Sequence, residues 1–142
     1  MQYKSFMCFD FGLKSIGVAY GSSFTLSSRP LGAVRVYSGE IRWEHIDSFV
    51  TEWSPDAFVV GLSLHMDGSK QSFNSQLVHF KKKLSERYEK EVYWADERLT
   101  TVAAKERIFA EGGKKKLTKE NIDAVSAQII LEQWLYEISD TN

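Results

Sequence analysis

Residues 6–21, FMCFDFGLKSIGVAYG, decide the fold. An apolar run carrying a single acid, Asp10, leads through Gly12 and a short polar stretch into a second apolar run, residues 16–20. The pattern predicts two strands joined by a tight turn, with Gly12 taking backbone angles that other residues avoid. A carboxylate inside an apolar strand is costly unless its charge is compensated. A bound cation would compensate it, and hard divalent cations prefer carboxylate oxygens. On this strand alone Asp10 reads either as a metal or catalytic ligand or as a hydrogen-bonded Asp that closes the hairpin.

The 142 residues are 43% apolar and 26% charged, an ordinary globular composition that predicts one domain over residues 1–142 with a proper core. Lys and Arg total 18 against 19 Asp and Glu, a net charge of −1. Bulk charge therefore gives no support to strong nonspecific nucleic-acid binding, which leaves local patches. One cysteine, Cys8, excludes a disulfide framework and reads as a small buried hydrophobe in a reducing compartment. Neither a signal peptide nor an apolar run of membrane-spanning length is evident, so a cytoplasmic location is expected.

Outward from the opening stretch, residues 22–29 read as a loop and residues 31–37 as a third strand. Ile46, Phe49, Val50 and Trp53 recur at helical spacing and predict a helix from about residue 41 that stops before Pro55. The continuous apolar run 57–62 is expected of a central strand covered on both faces. Residues 63–69, containing Met66-Asp67-Gly68, form a loop at that strand's carboxyl end, where open α/β sheets bind ligands. Phe73, Leu77, Phe80, Leu84 and Tyr88 line one face of a long helix, and residues 92–95 form a fifth strand running into Asp96-Glu97-Arg98. A helix carrying Val102, Ala103 and Phe109, a mobile loop at Gly112-Gly113 and Lys114-Lys115-Lys116, and a helix over 122–138 complete the order. The result is an α/β protein of ribonuclease H-like order: a mixed five-stranded sheet, strands 1–3 antiparallel, with helices on both sides.

Three acids stand in or beside apolar sequence: Asp10 within strand one, Glu97 just past strand five, and Asp123 near the start of the last helix, with small Ser126 and Ala127 leaving room for a ligand. Strand alternation sends Asp96 and Glu97 to opposite faces, and Glu97 is the favoured partner of Asp10, with Asp96 holding the turn or Arg98, or joining the site if the strand bends. Converging carboxylates repel one another unless Mg2+ or Mn2+ relieves the charge. Two such ions about 4 Å apart would generate hydroxide and stabilise a leaving oxygen, which fits phosphodiester hydrolysis. The competing reading makes each acid a surface cap or salt-bridge partner.

Lys14, Arg98, Thr100, Lys114, Lys115 and Lys116 are candidate nucleic-acid contacts; Thr100 or Thr101 would offer a hydroxyl at a helix amino terminus, or only cap that helix. His45, His65 and His79 share no metal-ligand spacing; His65 alone falls in a loop near the expected site.

Several motifs together resemble a known family. Asp10-Phe11-Gly12 with Ile16-Gly17-Val18-Ala19, Val60-Gly61-Leu62 with Met66-Asp67-Gly68-Ser69, Asp96-Glu97-Arg98-Leu99-Thr100-Thr101, and Ile122-Asp123-Ala124-Val125 with Ile129-Ile130-Leu131 are similar, in order, to the YqgF (RuvX) family. The resemblance implies a ribonuclease H-like fold related to RuvC resolvases, with Asp10, Glu97 and Asp123 as catalytic acids. It implies either maturation of the 5′ end of precursor 16S ribosomal RNA or resolution of Holliday junctions. Members usually carry Arg where this chain has Ser15, which implies that a guanidinium able to meet a phosphate is missing at this position. The leading expectation is a Mg2+- or Mn2+-dependent nuclease acting on structured RNA. A resolvase of branched DNA, working as a symmetric homodimer rather than a monomer, is second. A non-catalytic nucleic-acid-binding protein is the reading from another class. An actin-like ATPase would need two such domains, and this chain supplies one.

Overall fold

A computed structural model of the chain describes residues 3–63, 70–97 and 100–140, with side chains over 3–61, 75–95 and 103–139. Its sheet is built from β1 (Ser5–Asp10), β2 (Ser15–Ser22), β3 (Ser27–Tyr37), β4 (Glu40–Ile41), β5 (Ala57–Ser63) and β6 (Val92–Glu97). The helices are α1 (Trp43–Trp53), α2 (Lys70–Tyr88), α3 (Thr100–Gly112) and α4 (Lys119–Asp140). Spatial order across the sheet is β4-β3-β2-β1-β5-β6. Strands β1 to β4 pair antiparallel, whereas β1–β5 and β5–β6 pair parallel.

Residues 6–9 of β1 are buried on both sides, as their unbroken apolar run demands of a central strand. Alternation then sorts the core. Met7, Phe9, Ile16, Val18, Phe58 and Val60 face α1 and α2, meeting Ile46, Leu77, Phe80 and Leu84. Phe6, Cys8, Ala57, Val59 and Ala95 face α4, meeting Ile130, Leu131 and Leu135. Helix α3 packs on α4 rather than on the sheet, through Ala104, Ile108, Val125 and Ile129.

Among the described residues the sheet has six strands, not five. Strand β4 pairs only Val36 with Ile41 and Tyr37 with Glu40, and Ser38 and Gly39, both at positive φ (49° and 81°), make the two-residue turn between them. That is the geometry a tight hairpin prefers, in a strand too short to show a period in sequence. Strand β3 also begins earlier than the pattern suggests, at Ser27. It accommodates Pro30 where the β2 register shifts between Val18 and Ala19, a place where a missing N–H is tolerated.

Gly12 is needed for space rather than for an unusual φ: a Cβ there would lie 2.6 Å from the Ser15 carbonyl oxygen. Helix α1 ends at Ser54, left-handed at φ 44°, whose N–H reaches the Val50 carbonyl just before Pro55. Helix α3 buries Ala104 and Ile108 and leaves Ala103 and Phe109 exposed, one position round from the expected face. Residues Lys114–Lys116 form a turn of 3-10 helix instead of a loop. Among the described residues, no helix is long and apolar enough to cross a membrane.

Candidate active site

Asp10 is the last residue of β1, half-buried, opposite Gly17 of β2 in the ladder. It follows Phe6 and Cys8 in the alternation and so lies on the α4 side of the sheet. Glu97 ends β6, paired in register with Ser63 at the end of β5. Counting on from Tyr93 and Ala95, both packed toward α4, position 97 falls on the same side. The carboxyl ends of three parallel neighbours thus carry Asp10 and Glu97 at one end of the sheet, the end where open α/β sheets bind ligands.

Asp123 reaches that end from α4. Gly17 leaves the helix room to do so, because a Cβ at position 17 would overlap the backbone carbonyl of Asp123. Ser126 and Ala127 are buried; these small residues let the helix lie close to the strands rather than leaving space for a ligand. The α4 turn bearing Asp123 therefore rests on the strand that pairs with Asp10.

Asp123 is 8% exposed as a residue, and both of its carboxylate oxygens are held. Ser15 Oγ donates to Oδ2 at 2.6 Å, and Lys119 Nζ donates to Oδ1 at 2.7 Å. A buried carboxylate needs such partners, since an unpaired charge of this kind would be strongly disfavoured. Thr118 caps α4 by accepting the Asn121 N–H on its side-chain oxygen, which fixes the first turn from which Lys119 projects.

The three expected donors, Asp10, Glu97 and Asp123, are all carboxylates, without Cys or His, a chemistry that would suit a hard divalent cation such as Mg2+ or Mn2+. The cationic Lys119 already sits on Asp123, so this corner of the site tolerates positive charge. Among the described side chains, no three His, Cys, Asp or Glu groups gather to hold a metal, and that of Glu97 is not among them.

Of the expected nucleic-acid contacts, Lys14 is exposed in the turn between β1 and β2, and Lys114, Lys115 and Lys116 are exposed just before α4. Thr100 is the first residue of α3. Its side chain, those of Asp96 and Phe73, and the whole of His65, Met66-Asp67-Gly68 and Arg98 lie outside the described residues. His45 sits on the first turn of α1, stacked on Phe49 at 4.9 Å, and His79 is exposed on α2. Sequence reasoning missed Ser15 and Lys119 as partners of Asp123. Lys119 was within reach of it, one helical turn before the acid, whereas Ser15 is 108 residues away.

Comparison with known proteins identifies the family and the fold. Residues 4–137 match the family model described as "RuvX: Holliday junction resolvase". A protein of Aeromonas hydrophila subsp. hydrophila named "Putative pre-16S rRNA nuclease" is 45% identical over 137 residues, covering 96% of this chain and 98% of the relative. A protein of Shewanella oneidensis with the same name is 44% identical over 134 residues, covering 94% and 95%. Among solved structures, T. thermophilus RuvC in complex with a Holliday junction substrate superposes with a TM-score of 0.60 at 15% identity, covering 96% of each chain. The Fowlpox virus resolvase bound to junction DNA superposes with a TM-score of 0.58 at 12% identity, covering 94% of this chain and 98% of that one. Those two likenesses establish the shared ribonuclease H-like fold, and the sequence match establishes the kinship: the chain belongs to the RuvX family.

Proposed function

We propose that this protein is a divalent-metal-dependent nuclease that hydrolyses phosphodiester bonds in structured nucleic acid, processing the 5′ end of precursor 16S ribosomal RNA in the cytoplasm. The observation that carries the reading is the close seat of Asp123 on Gly17, the ladder partner of Asp10, which brings carboxylates 113 positions apart in sequence to one end of the sheet. The names of the full-length relatives supply the substrate.

Asp10, Glu97 and Asp123 would hold Mg2+ or Mn2+, which when bound supplies a nucleophilic water and stabilises the leaving oxygen. Ser15 and Lys119 act on Asp123 as positioning residues, fixing both carboxylate oxygens before substrate arrives. Lys14, Arg98, Thr100, Lys114, Lys115 and Lys116 serve as contacts to backbone phosphates, which set register without reading sequence.

The test is cleavage of a precursor 16S RNA fragment by the purified protein with manganese, with excess chelator, and by Asp10→Asn. Cleavage that needs the ion and disappears in the variant supports the reading; cleavage undiminished in the variant or in chelator refutes it. The family model's description favours a second reading, resolution of a four-way DNA junction. Junction cutting needs two coordinated incisions and hence a symmetric dimer. Cleavage of a junction but not of RNA, by a protein that sediments as a dimer, selects that reading.

A further inference from the structure

We propose that a basic hollow beside Asp123, lined by Arg35, Arg42, His45 and Lys119, is a binding site for a backbone phosphate next to the one that is cleaved. The inference rests on the nuclease reading above and adds a site to it. The hollow has a volume of about 190 Å3, and its remaining lining is Ser15, Ala33 and Glu120. Arg35, Arg42, His45 and Lys119 thus gather around one lining acid, Glu120, with Lys119 already paired to Asp123, in a protein whose net charge is −1.

The fold assembles this group from four places. Arg35 stands directly across from Ser15 in the β2–β3 ladder, on the side of the sheet that Asp123 occupies. Ala33, two residues earlier on β3, is small enough to leave the floor open. Arg42 immediately precedes α1 and makes no capping bond through its side chain, and His45 follows one turn later with its ring stacked against Phe49. Lys119 opens α4. Two of the lining residues, Ser15 and Lys119, are those that grip the Asp123 carboxylate, so the hollow and the acid share a wall.

Structural duty does not account for the arginines. Both are exposed. Among the described residues Arg35 makes no ion pair. Among them too, Arg42 approaches only Glu44, at 4.0 Å, and those side chains are 53% and 79% exposed, so the pair contributes little. Lys119 has Asp123 as its partner, but setting two weakly paired guanidinium groups side by side is unfavourable, and an anion in the hollow lowers that cost. Guanidinium forks match phosphate oxygens two at a time. A free phosphate shares that chemistry. The wall held in common with Asp123 favours a phosphate that belongs to the substrate strand, because a strand running past the acid has its next phosphate within reach.

The experiment compares wild-type protein with Arg35→Gln/Arg42→Gln and with Lys82→Gln/Lys90→Gln, which removes equal charge from exposed or partly exposed positions away from the hollow. Binding of a fluorescent precursor 16S RNA fragment is measured by anisotropy in chelator, across a range of salt, so that no cleavage intervenes. The arginine variant should bind more weakly, with a salt slope smaller in magnitude by about 1. The lysine variant should keep the wild-type slope, and Glu120→Gln should bind more tightly. In a second arm, inorganic phosphate alone should move the His45 ring resonances of the wild type and not those of the arginine variant. An arginine variant with the wild-type slope, equal losses in both double variants, or His45 resonances that ignore phosphate would each overturn the site. Cleavage by the same proteins separates the two readings. Intact cleavage with an unchanged slope removes the hollow alone, and an altered slope without any cleavage by wild type removes the nuclease reading alone.

Discussion

Gly17 and Asp123 meet backbone to backbone, and no side chain larger than a hydrogen fits between them. Gly17→Ala would drive α4 off β2 just where the helix presents its acid. Overpacking of this kind costs about 1–3 kcal/mol, occasionally more. We expect a lower urea midpoint together with a loss of cleavage larger than the stability loss alone explains, read by assaying the folded fraction well below the unfolding transition.

Ser15→Ala leaves a carboxylate oxygen of Asp123 without its hydroxyl donor in a nearly closed environment. A buried acceptor deprived of its partner costs about 1–3 kcal/mol. Stability should fall by that order in urea unfolding, and cleavage should fall in kcat more than in KM, because the acid is still present but less well aimed. Ser15→Thr keeps the hydroxyl and should recover much of both.

Asp47 on α1 is tied to the end of α2: Arg87 donates to it through Nε at 2.8 Å and Nη2 at 2.5 Å, and the Tyr88 hydroxyl donates at 2.6 Å. Hydrogen bonds from Arg87 hold the Asp47 carboxyl below its usual range, with Tyr88 adding to this and partial burial opposing it. A depressed folded pKa contributes stability that is present above the unfolded value, about 3.9, and is lost as pH falls through the lower folded value. Asp47→Asn should therefore lower the thermal midpoint near pH 7, and the gap from wild type should close as pH drops below about 4. Burial, and then the bond to Asp47, raise the Tyr88 phenol. Its contribution is present below the unfolded value, about 10, and fades only as pH climbs through the higher folded value.

Manganese should raise the thermal midpoint of the wild type in the absence of any nucleic acid, since a ligand bound only by the folded state stabilises it: about 2.7 kcal/mol at a hundredfold excess over the dissociation constant. Asp10→Asn and Asp123→Asn should each lose most of that rise. A wild-type melting curve indifferent to manganese would count against the carboxylates as ion ligands.

Much of this was legible because the central strands carry their own signature. The apolar runs 57–62 and 6–9 each read as a covered central strand, and the length of the helix over Leu77, Phe80 and Leu84 follows from its period. What escaped was local or remote. The two-residue β4 has no period to detect, and the face of α3 shifted to Ala104 and Ile108 because its partner is α4, not the sheet. The three acids stand out in sequence since charge is rare in such company. The grip of Ser15 on Asp123 and the gathering of Arg35, Arg42 and Lys119 exist only once β2, β3, α1 and α4 have packed, and no short-range pattern encodes them.

Helix α4 both seals one face of the sheet and delivers Asp123, and it is translated long after the hairpin that receives it. At about 5–20 residues per second, the 108 residues separating Ser15 from Asp123 take on the order of 5 to 20 seconds to synthesise. During that interval an unfinished copy carries Asp10 without its distal companion. Topology thus imposes a delay at birth, and the two acids come together only as the protein becomes watertight.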